Sequence, residues 1–357
     1  MTTATPPPPV QEAVSVPLRD IERELSRQLR ALQGADETPV LRARMSNLVI
    51  FCARKDTGDS VAAQLSDIVA VHPARVLLLI GESGLEDAEI TATVHVRAHR
   101  LDNRQQACTE QVTLHAAGPS VGRLPFAVRA LQVGDLPTNL WWASPQPPSM
   151  AGPLLYDLAE RTQQIIYDSL GWMEPARAVA ATATWLEQIE RECAGGHWRV
   201  ASDLNWRRLK YWRRLLAQAL DPGSAPGAAE SVSEILVEHG PHAVVQAWEL
   251  MSWLSSILGW QVLTGKVRPG VELSWRFACE HGEPRLRIRR LEEGPPEIRR
   301  VRIACQLEDK PVALNLVAES ERLAILLEGV EAAPRTMSVP KQTPAELIGR
   351  ASCRERV

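Results

Sequence analysis

The spacing of apolar residues changes several times along this chain, and each change marks an element. Leu18, Ile21, Leu25, Leu29 and Leu32 recur at intervals of three and four, which places them on one face of a helix. "SNLVIFCA" (46–53) is nearly continuous in its apolar character and reads as a buried strand. Helical spacing returns in "TGDSVAAQLSDIVAVH" (57–72), with Val61, Leu65, Ile68 and Val69 facing inward, and the His72-Pro73 step ends it. "ARVLLLIG" (74–81) is a second buried strand, so the β-α-β order implies a parallel pair joined by a right-handed crossover. "AEITATVHVRAHR" (88–100) and "QQACTEQVTLHAAG" (105–118) alternate, as antiparallel strands with one wet face do. Then come a helix in "VGRLPFAVRALQ" (121–132), a short strand "TNLWWA" (138–143), a helix in "LLYDLAERT" (154–162) and a strand in "QIIYDS" (164–169).

The second half reads differently. Helical patterns at 175–193, 202–220 and 242–259 come first, with "DPGSAPGAAES" (221–231) as a flexible joint before the third. Six short alternating runs follow: "QVLTGKV", "VELSWRFA", "PRLRIRRL", "IRRVRIACQL", "PVALNLVA" and "RLAILLEGV". Strands after a block of helices indicate an α+β domain with an antiparallel sheet. "RLRIRR" and "IRRVRI" alternate arginine with aliphatics, which predicts one basic face on that sheet. The expected organisation is a disordered proline-rich tail (1–17), an α/β domain with a mixed sheet flanked by helices (18–172), an α+β domain with helices then an antiparallel sheet (173–335), and a tail (336–357). The last ten residues, "IGRASCRERV" (348–357), resemble the translation of a sequencing-adapter stretch, so the genuine chain is expected to part from this sequence near Leu347 and Cys353 is given no role.

Composition narrows the class. Apolar content of 45% and charged content of 23% are those of a globular protein. A net charge of −3 argues against coating nucleic acid or an anionic membrane. The start, "MTTATPPPPV", lacks a basic segment followed by an apolar core, and the longest purely apolar run, "VLLLI", is far shorter than a membrane span. The six cysteines form no C-x-x-C pair. These features predict a cytoplasmic protein with reduced thiols.

Catalytic patterns are missing. No G-x-G-x-x-G opens a helix after a strand, and "GWQVLTGKV" has the wrong spacing for a phosphate loop. There is no G-x-S-x-G or H-E-x-x-H. His95 and His99 share a strand face, but no acidic third metal ligand accompanies them. The expectation is a protein without a catalytic residue, cofactor or metal, and with neither nucleic acid nor membrane as partner.

Aromatic and cationic surface chemistry remains. Trp141 and Trp142 are adjacent in a strand and so point to opposite faces; one of them needs cover from a domain or a partner, or stays exposed. In "SDLNWRRLKYWRRLLAQALD" (202–221), Leu204, Leu209, Tyr211, Trp212, Leu215, Leu216, Ala219 and Leu220 share one broad helical face, with Arg207, Lys210 and Arg214 opposite. Arg208 falls inside the apolar arc, where a guanidinium needs a carboxylate, a partner or an anion.

"NLVIF", "HPARVLLLIGE", "GDLPTNLWW", "YDLAERTQQIIYDS", "DLNWRRLKYWRRLLAQALD" and "WLSSILGW" occur here in the order found in the OpcA family, the glucose-6-phosphate dehydrogenase assembly proteins, which this chain resembles from about residue 40 to 330. The Asp135–Trp142 turn and the Leu204–Arg208 segment are the most specific pieces. The resemblance implies a protein with no reaction of its own that binds glucose-6-phosphate dehydrogenase and favours its active oligomer, so supporting the oxidative pentose phosphate pathway and NADPH production. It makes Trp141, Trp142, Trp206, Arg207, Arg208, Trp212 and Arg213 candidates for partner contact or for clamping domains, since Trp and Arg dominate interface hot spots. The alternative is a sugar-phosphate or nucleotide sensor on a vestigial α/β enzyme fold, with Arg208 as the phosphate ligand.

Overall fold

The computed structural model describes residues 13–35, 40–42, 44–100, 106–194, 199–223, 225–307, 310–328, 335–340 and 342–352. Residues 1–12 of the expected proline-rich tail, and 353–357 at the other end, lie outside the described residues. The first elements are β1 (Val14–Val16), α1 (Ile21–Ala35), β2 (Val40–Arg42), β3 (Ser46–Cys52), α2 (Lys55–Val71), β4 (Ala74–Glu82), β5 (Ala88–Arg100) and β6 (Gln106–Ala117). Next come α3 (Leu124–Leu131), β7 (Thr138–Ala143), α4 (Pro153–Ala159), β8 (Gln164–Tyr167), α5 (Pro175–Ala194), β9 (Val200–Asp203), α6 (Leu204–Arg208) and α7 (Lys210–Ala219). The chain continues through β10 (Glu234–His239), α8 (Val244–Ile257), β11 (Gln261–Arg268), β12 (Glu272–Ala278), β13 (Arg285–Arg290) and β14 (Ile298–Leu307). It closes with β15 (Lys310–Glu319), β16 (Arg322–Glu328), β17 (Arg335–Ser338) and α9 (Pro344–Ser352). Among the described residues no helix is long and apolar enough to cross a membrane.

Two compact units emerge: Met1–Asp168 with Ala180–Ser202 and Thr343–Val357, and Ser169–Val179 with Asp203–Gln342. The chain passes between them more than once, so the units are not two consecutive stretches of sequence.

In the first unit the sheet order is β1-β5-β6-β4-β3-β7-β8-β9, with β2 beside β6. The pairs β3–β4, β3–β7, β4–β6 and β7–β8 are parallel, while β5 runs antiparallel to β6. Taken by chain order, the parallel strands β6-β4-β3-β7-β8 stand 3-2-1-4-5, the doubly wound order of dinucleotide-binding sheets. All seven residues of β3 are buried, which accounts for its continuous apolar sequence. Val61, Leu65, Ile68 and Val69 of α2 are buried as the pattern predicts. A Cβ at Gly58 would lie 2.6 Å from Ile80 Cδ1, so glycine there leaves room for the Ile80 side chain between β4 and α2.

Some expectations change. Ile21, Leu25, Leu29 and Leu32 are buried, but Leu18 is exposed because it sits in a 3-10 turn before α1. Val14–Val16, expected in the tail, pairs with β5. The stretch expected as the other tail supplies most of β17 and all of α9, whose Ala345, Leu347, Ile348 and Ala351 are buried.

The second unit's sheet has the order β11-β12-β13-β10-β14-β15-β16-β17. It is mostly antiparallel, and the β10–β13 pair is parallel. The expected antiparallel sheet is present with one addition: "EILVEH", next to the turn-rich 221–231 segment, forms a central strand parallel to β13. The segment itself is no free joint, since Ala225 and Ala228 are buried in the core. Ile235, Val237, Leu286, Ile288, Val301, Ile303, Leu314 and Leu316 form the core face, together with Leu215 and Leu216 of α7 and Leu250 and Leu254 of α8. The opposite face is not simply basic. Glu272, Arg289, Glu238 and Arg300 stand side by side across four strands, so the charges alternate. Arg300 Nε lies 2.7 Å from Glu238, and Arg287 Nε lies 3.0 Å from Glu234.

A tight approach closes this unit. A Cβ at Gly240 would stand 1.9 Å from the carbonyl oxygen of Pro295, which is backbone and cannot rotate away. Gly240→Ala is expected to destabilise the protein by about 1–3 kcal/mol or more, as overpacking does. Urea unfolding reads this as a lower midpoint at unchanged slope, and an unchanged midpoint would refute it.

Candidate functional site

Doubly wound sheets place ligands beyond the carboxyl ends of their strands. Here β3 ends at Cys52, Ala53-Arg54 turns, and α2 begins at Lys55. Ala53, Lys55 and Gly58 stand at the spacing of the three fingerprint glycines, and only the third is glycine. Lys55 occupies the position where a bare backbone would let a pyrophosphate approach. Its backbone N–H donates instead to Glu82 Oε1 at 3.2 Å, from the last residue of β4. Glu82 Oε2 meets His115 Nε2 at 2.8 Å, and His115 together with the Lys55 N–H holds the Glu82 carboxyl below the usual range. Lys55 Nζ pairs with Asp59 at 2.6 Å, and Arg54 pairs with Asp56, whose carboxyl drops to about 2. A helix N-terminus suited to an anion thus holds the chain's own carboxylate. These residues do not fit a dinucleotide. Sequence reasoning missed the Glu82–His115 pair; the available signal was A-x-K-x-x-G after an apolar strand, with an acid ending the next strand.

Trp141 and Trp142 lie opposite Ile50 and Phe51 on β3. Both are buried, at 8% and 3% exposure. Trp142 stacks on Phe51 with centroids 4.5 Å apart and donates Nε1–H to the carbonyl of Gln146 at 2.9 Å. The Phe51 ring has room because Gly81 carries no Cβ, which would sit 2.7 Å from Cε2. Alternation does send the two indoles to opposite faces, and a parallel strand buries both faces, so both are packed inside the first unit.

The 202–220 helix breaks at Leu209 into α6 and α7. Asp203 caps α6, accepting from Asn205 N at 2.9 Å and Ser169 N at 3.1 Å. Asn205, fully buried, donates Nδ2 to Ser169 Oγ at 2.8 Å and accepts from Arg208 Nη1 at 3.2 Å. Arg208 therefore reaches into the capping network of its own helix. Arg213 lies over the Trp206 ring at 3.6 Å, and burial lowers its pKa, opposed by the charge of Glu249. Trp212 is buried in the core, and Arg207 is half-buried. Of the seven candidates, the structure brings Trp206 and Arg213 into contact; Trp141 and Trp142 belong to the first unit, and the other five to the second.

Other reactive groups are inert or engaged. Burial pushes the Cys52 thiol up to about 12 and raises that of Cys305. His95 is buried, with Arg97 Nε 3.3 Å from its Nδ1, and the His99 side chain lies outside the described residues. Among the described residues no three metal-ligating side chains cluster.

A family model described as the glucose-6-phosphate dehydrogenase subunit N-terminal domain matches residues 65–184, and one described as the C-terminal domain matches residues 199–354. A putative OxPP cycle protein OpcA of Nostoc punctiforme is 27% identical over 215 residues, covering 59% of this chain and 44% of that protein. Its counterpart in Synechococcus elongatus is 29% identical over 234 residues, covering 64% and 47%. The chain spans about half the length of the curated relatives it matches. Among solved structures, an oxidoreductase from Sinorhizobium meliloti is similar with a TM-score of 0.49 and 10% identity, over 87% of this chain and 86% of that one.

Two outcomes follow from this geometry. Trp142→Ala is expected to lose about 3–5 kcal/mol of stability, read by chemical denaturation, as befits a packed indole. A loss below about 1 kcal/mol, the range of surface positions, would contradict the packing role. In His115→Ala, NMR titration is expected to move the Glu82 midpoint up toward an ordinary carboxylate. The stability that Glu82 contributes, present above the unfolded carboxyl pKa and lost as pH falls through the depressed one, should shrink in step. An unmoved midpoint would show that His115 does not hold the carboxylate.

Proposed function

We propose, from the premise that this chain belongs to the OpcA family, that it is a non-catalytic assembly factor which binds glucose-6-phosphate dehydrogenase and favours its active form. The observation that carries this reading is the carboxyl end of the first unit's sheet, where Glu82 accepts from the Lys55 N–H at the start of α2 and Lys55 stands where close approach needs glycine. A sheet with dinucleotide-binding order and its own carboxylate in the anion position is suited to being a scaffold. Models named for a subunit of the dehydrogenase match residues 65–184 and 199–354, a large part of each unit, which supports the choice of partner.

An assembly factor shifts an equilibrium only through differential affinity for two states of its target. A tenfold shift toward the active state requires about 1.4 kcal/mol of tighter binding to that state. No side chain here has to perform a chemical step, and the activity changes through the dehydrogenase's own site. Such binding would sustain NADPH production in the cytoplasm by way of the pentose phosphate pathway.

The test is a rate with a hydrodynamic control. NADPH formation by the same organism's dehydrogenase is expected to rise several-fold at subsaturating substrate when this chain is added, with the two proteins co-eluting from a sizing column. An unchanged rate and separate elution, over protein concentrations spanning the micromolar range, would sink the reading.

A further inference from the structure

Strand β11 ends the second unit's sheet: it bonds to β12 on one side, and all eight of its residues are exposed. An edge strand presents unpaired N–H and C=O groups that can template another strand. Its faces differ in chemistry. Val262, Gly265 and Val267 lie opposite Phe277, Trp275 and Leu273, so they continue the apolar core face. That face runs out of cover at β11: Val262 is 64% and Val267 67% exposed, and Ile257 at the end of α8 is 69% exposed. Thr264, Lys266 and Arg268 lie opposite Arg276, Ser274 and Glu272, on the charged face. Glu272 is already engaged by Arg287 and Arg289, and among the described residues neither Lys266 nor Arg268 has an ion-pair partner.

The charge selects the occupant. A second copy paired antiparallel through Gly265 would gather two Lys266 and two Arg268 on one face, with no acid from either strand. Lysine on an edge strand is a device against such like-with-like pairing. An extended segment of opposite charge meets no such penalty, and strand addition of this kind takes affinity from the main chain and specificity from alternate side chains. We propose that β11 is a docking edge that adds an extended segment of the partner protein as a further strand, its acidic residues over Lys266 and Arg268 and its apolar residues against Val262 and Val267. This deepens the partner-binding reading above and rests on it.

Two probes test the edge with the full chain. The first is hydrogen–deuterium exchange of residues 261–268, with and without the dehydrogenase. The second is fluorescence polarisation with a labelled peptide of alternating Glu and Val, beside a counterpart of alternating Lys and Val. Slowed exchange across β11 is expected with the dehydrogenase, together with at least tenfold tighter binding of the Glu–Val peptide. Val267→Glu should weaken both interactions about tenfold or more, and Lys266→Glu with Arg268→Glu should reverse the peptide preference. Both changes sit on exposed positions, so unchanged thermal melting confirms that folding is intact.

If the dehydrogenase binds but protects other residues and the peptides do not discriminate, the docking edge is wrong and the assembly reading stands. If the dehydrogenase does not bind while the Glu–Val peptide protects β11, the edge stands and the named partner is wrong. If neither binds, both fall. Light scattering that shows a dimer dispersed by Val267→Glu would overturn the proposal in favour of a second copy.

Discussion

Burial of the central parallel strands on both faces is the constraint from which the first unit follows. β3, β4 and β7 have no wet face along most of their length, so every residue in them must fit a packed layer on one side or the other. Glycine appears where a neighbouring side chain leaves no room for a Cβ, at Gly58 against Ile80 and at Gly81 against Phe51 of the adjacent strand. The space opened at Gly81 admits the Phe51 ring, and that ring carries Trp142. The indole N–H then has to find an acceptor, and the turn after β7 supplies the carbonyl of Gln146. One packing requirement therefore links a glycine, a phenylalanine and the tryptophan that the sequence makes conspicuous.

The second unit handles its polar groups by a different rule. Its sheet has one apolar face and one charged face, and the charged face alternates sign across neighbouring strands. Arg289 and Arg300 both reach Glu238, and Arg287 reaches Glu234 and Glu272. At this level of exposure each pair contributes at most about 1 kcal/mol, so the ladders act more on strand register than on stability. The alternation stops at β11, where Lys266 and Arg268 have no ion-pair partner among the described residues.

How much of this was legible beforehand depends on what kind of signal each feature leaves. The β-α-β start, the hairpin-like β5–β6 pair and the helices α5, α7 and α8 were readable because their apolar residues keep a period of two or between three and four. β10 was not, because "EILVEH" is six residues long, lies close to a Gly/Pro-rich stretch and carries an acid at each end of its apolar run. Its acids make sense only beside Arg287, Arg289 and Arg300, which are far away in sequence. The same limit hid the Glu82–His115 pair, whose partners sit on different strands. For Trp141 and Trp142 the local rule of alternation was right and the inference failed, since only the topology tells whether a strand has one buried face or two. Arg208 repeats the lesson on a helix: its position in the apolar arc called for a partner, and Asn205, one turn earlier on the same helix, takes part of that role.

The position of Glu82 shows how the start of α2 is satisfied from within the chain. A helix N-terminus carries partial positive charge and several unsatisfied N–H groups, and these need an anion whether or not a ligand is present. With glycine at position 55, solvent or a phosphate would serve. With lysine there, close approach is obstructed, and two acids of the chain accept from the first turn instead, Asp56 from Thr57 N and Glu82 from Lys55 N. Glu82 meets that need with one oxygen and uses the other for His115 on the next strand, so a single side chain ties β4, β6 and α2 together at their shared end. That end of the sheet is therefore held by the chain's own carboxylate, one oxygen on the start of α2 and the other on His115.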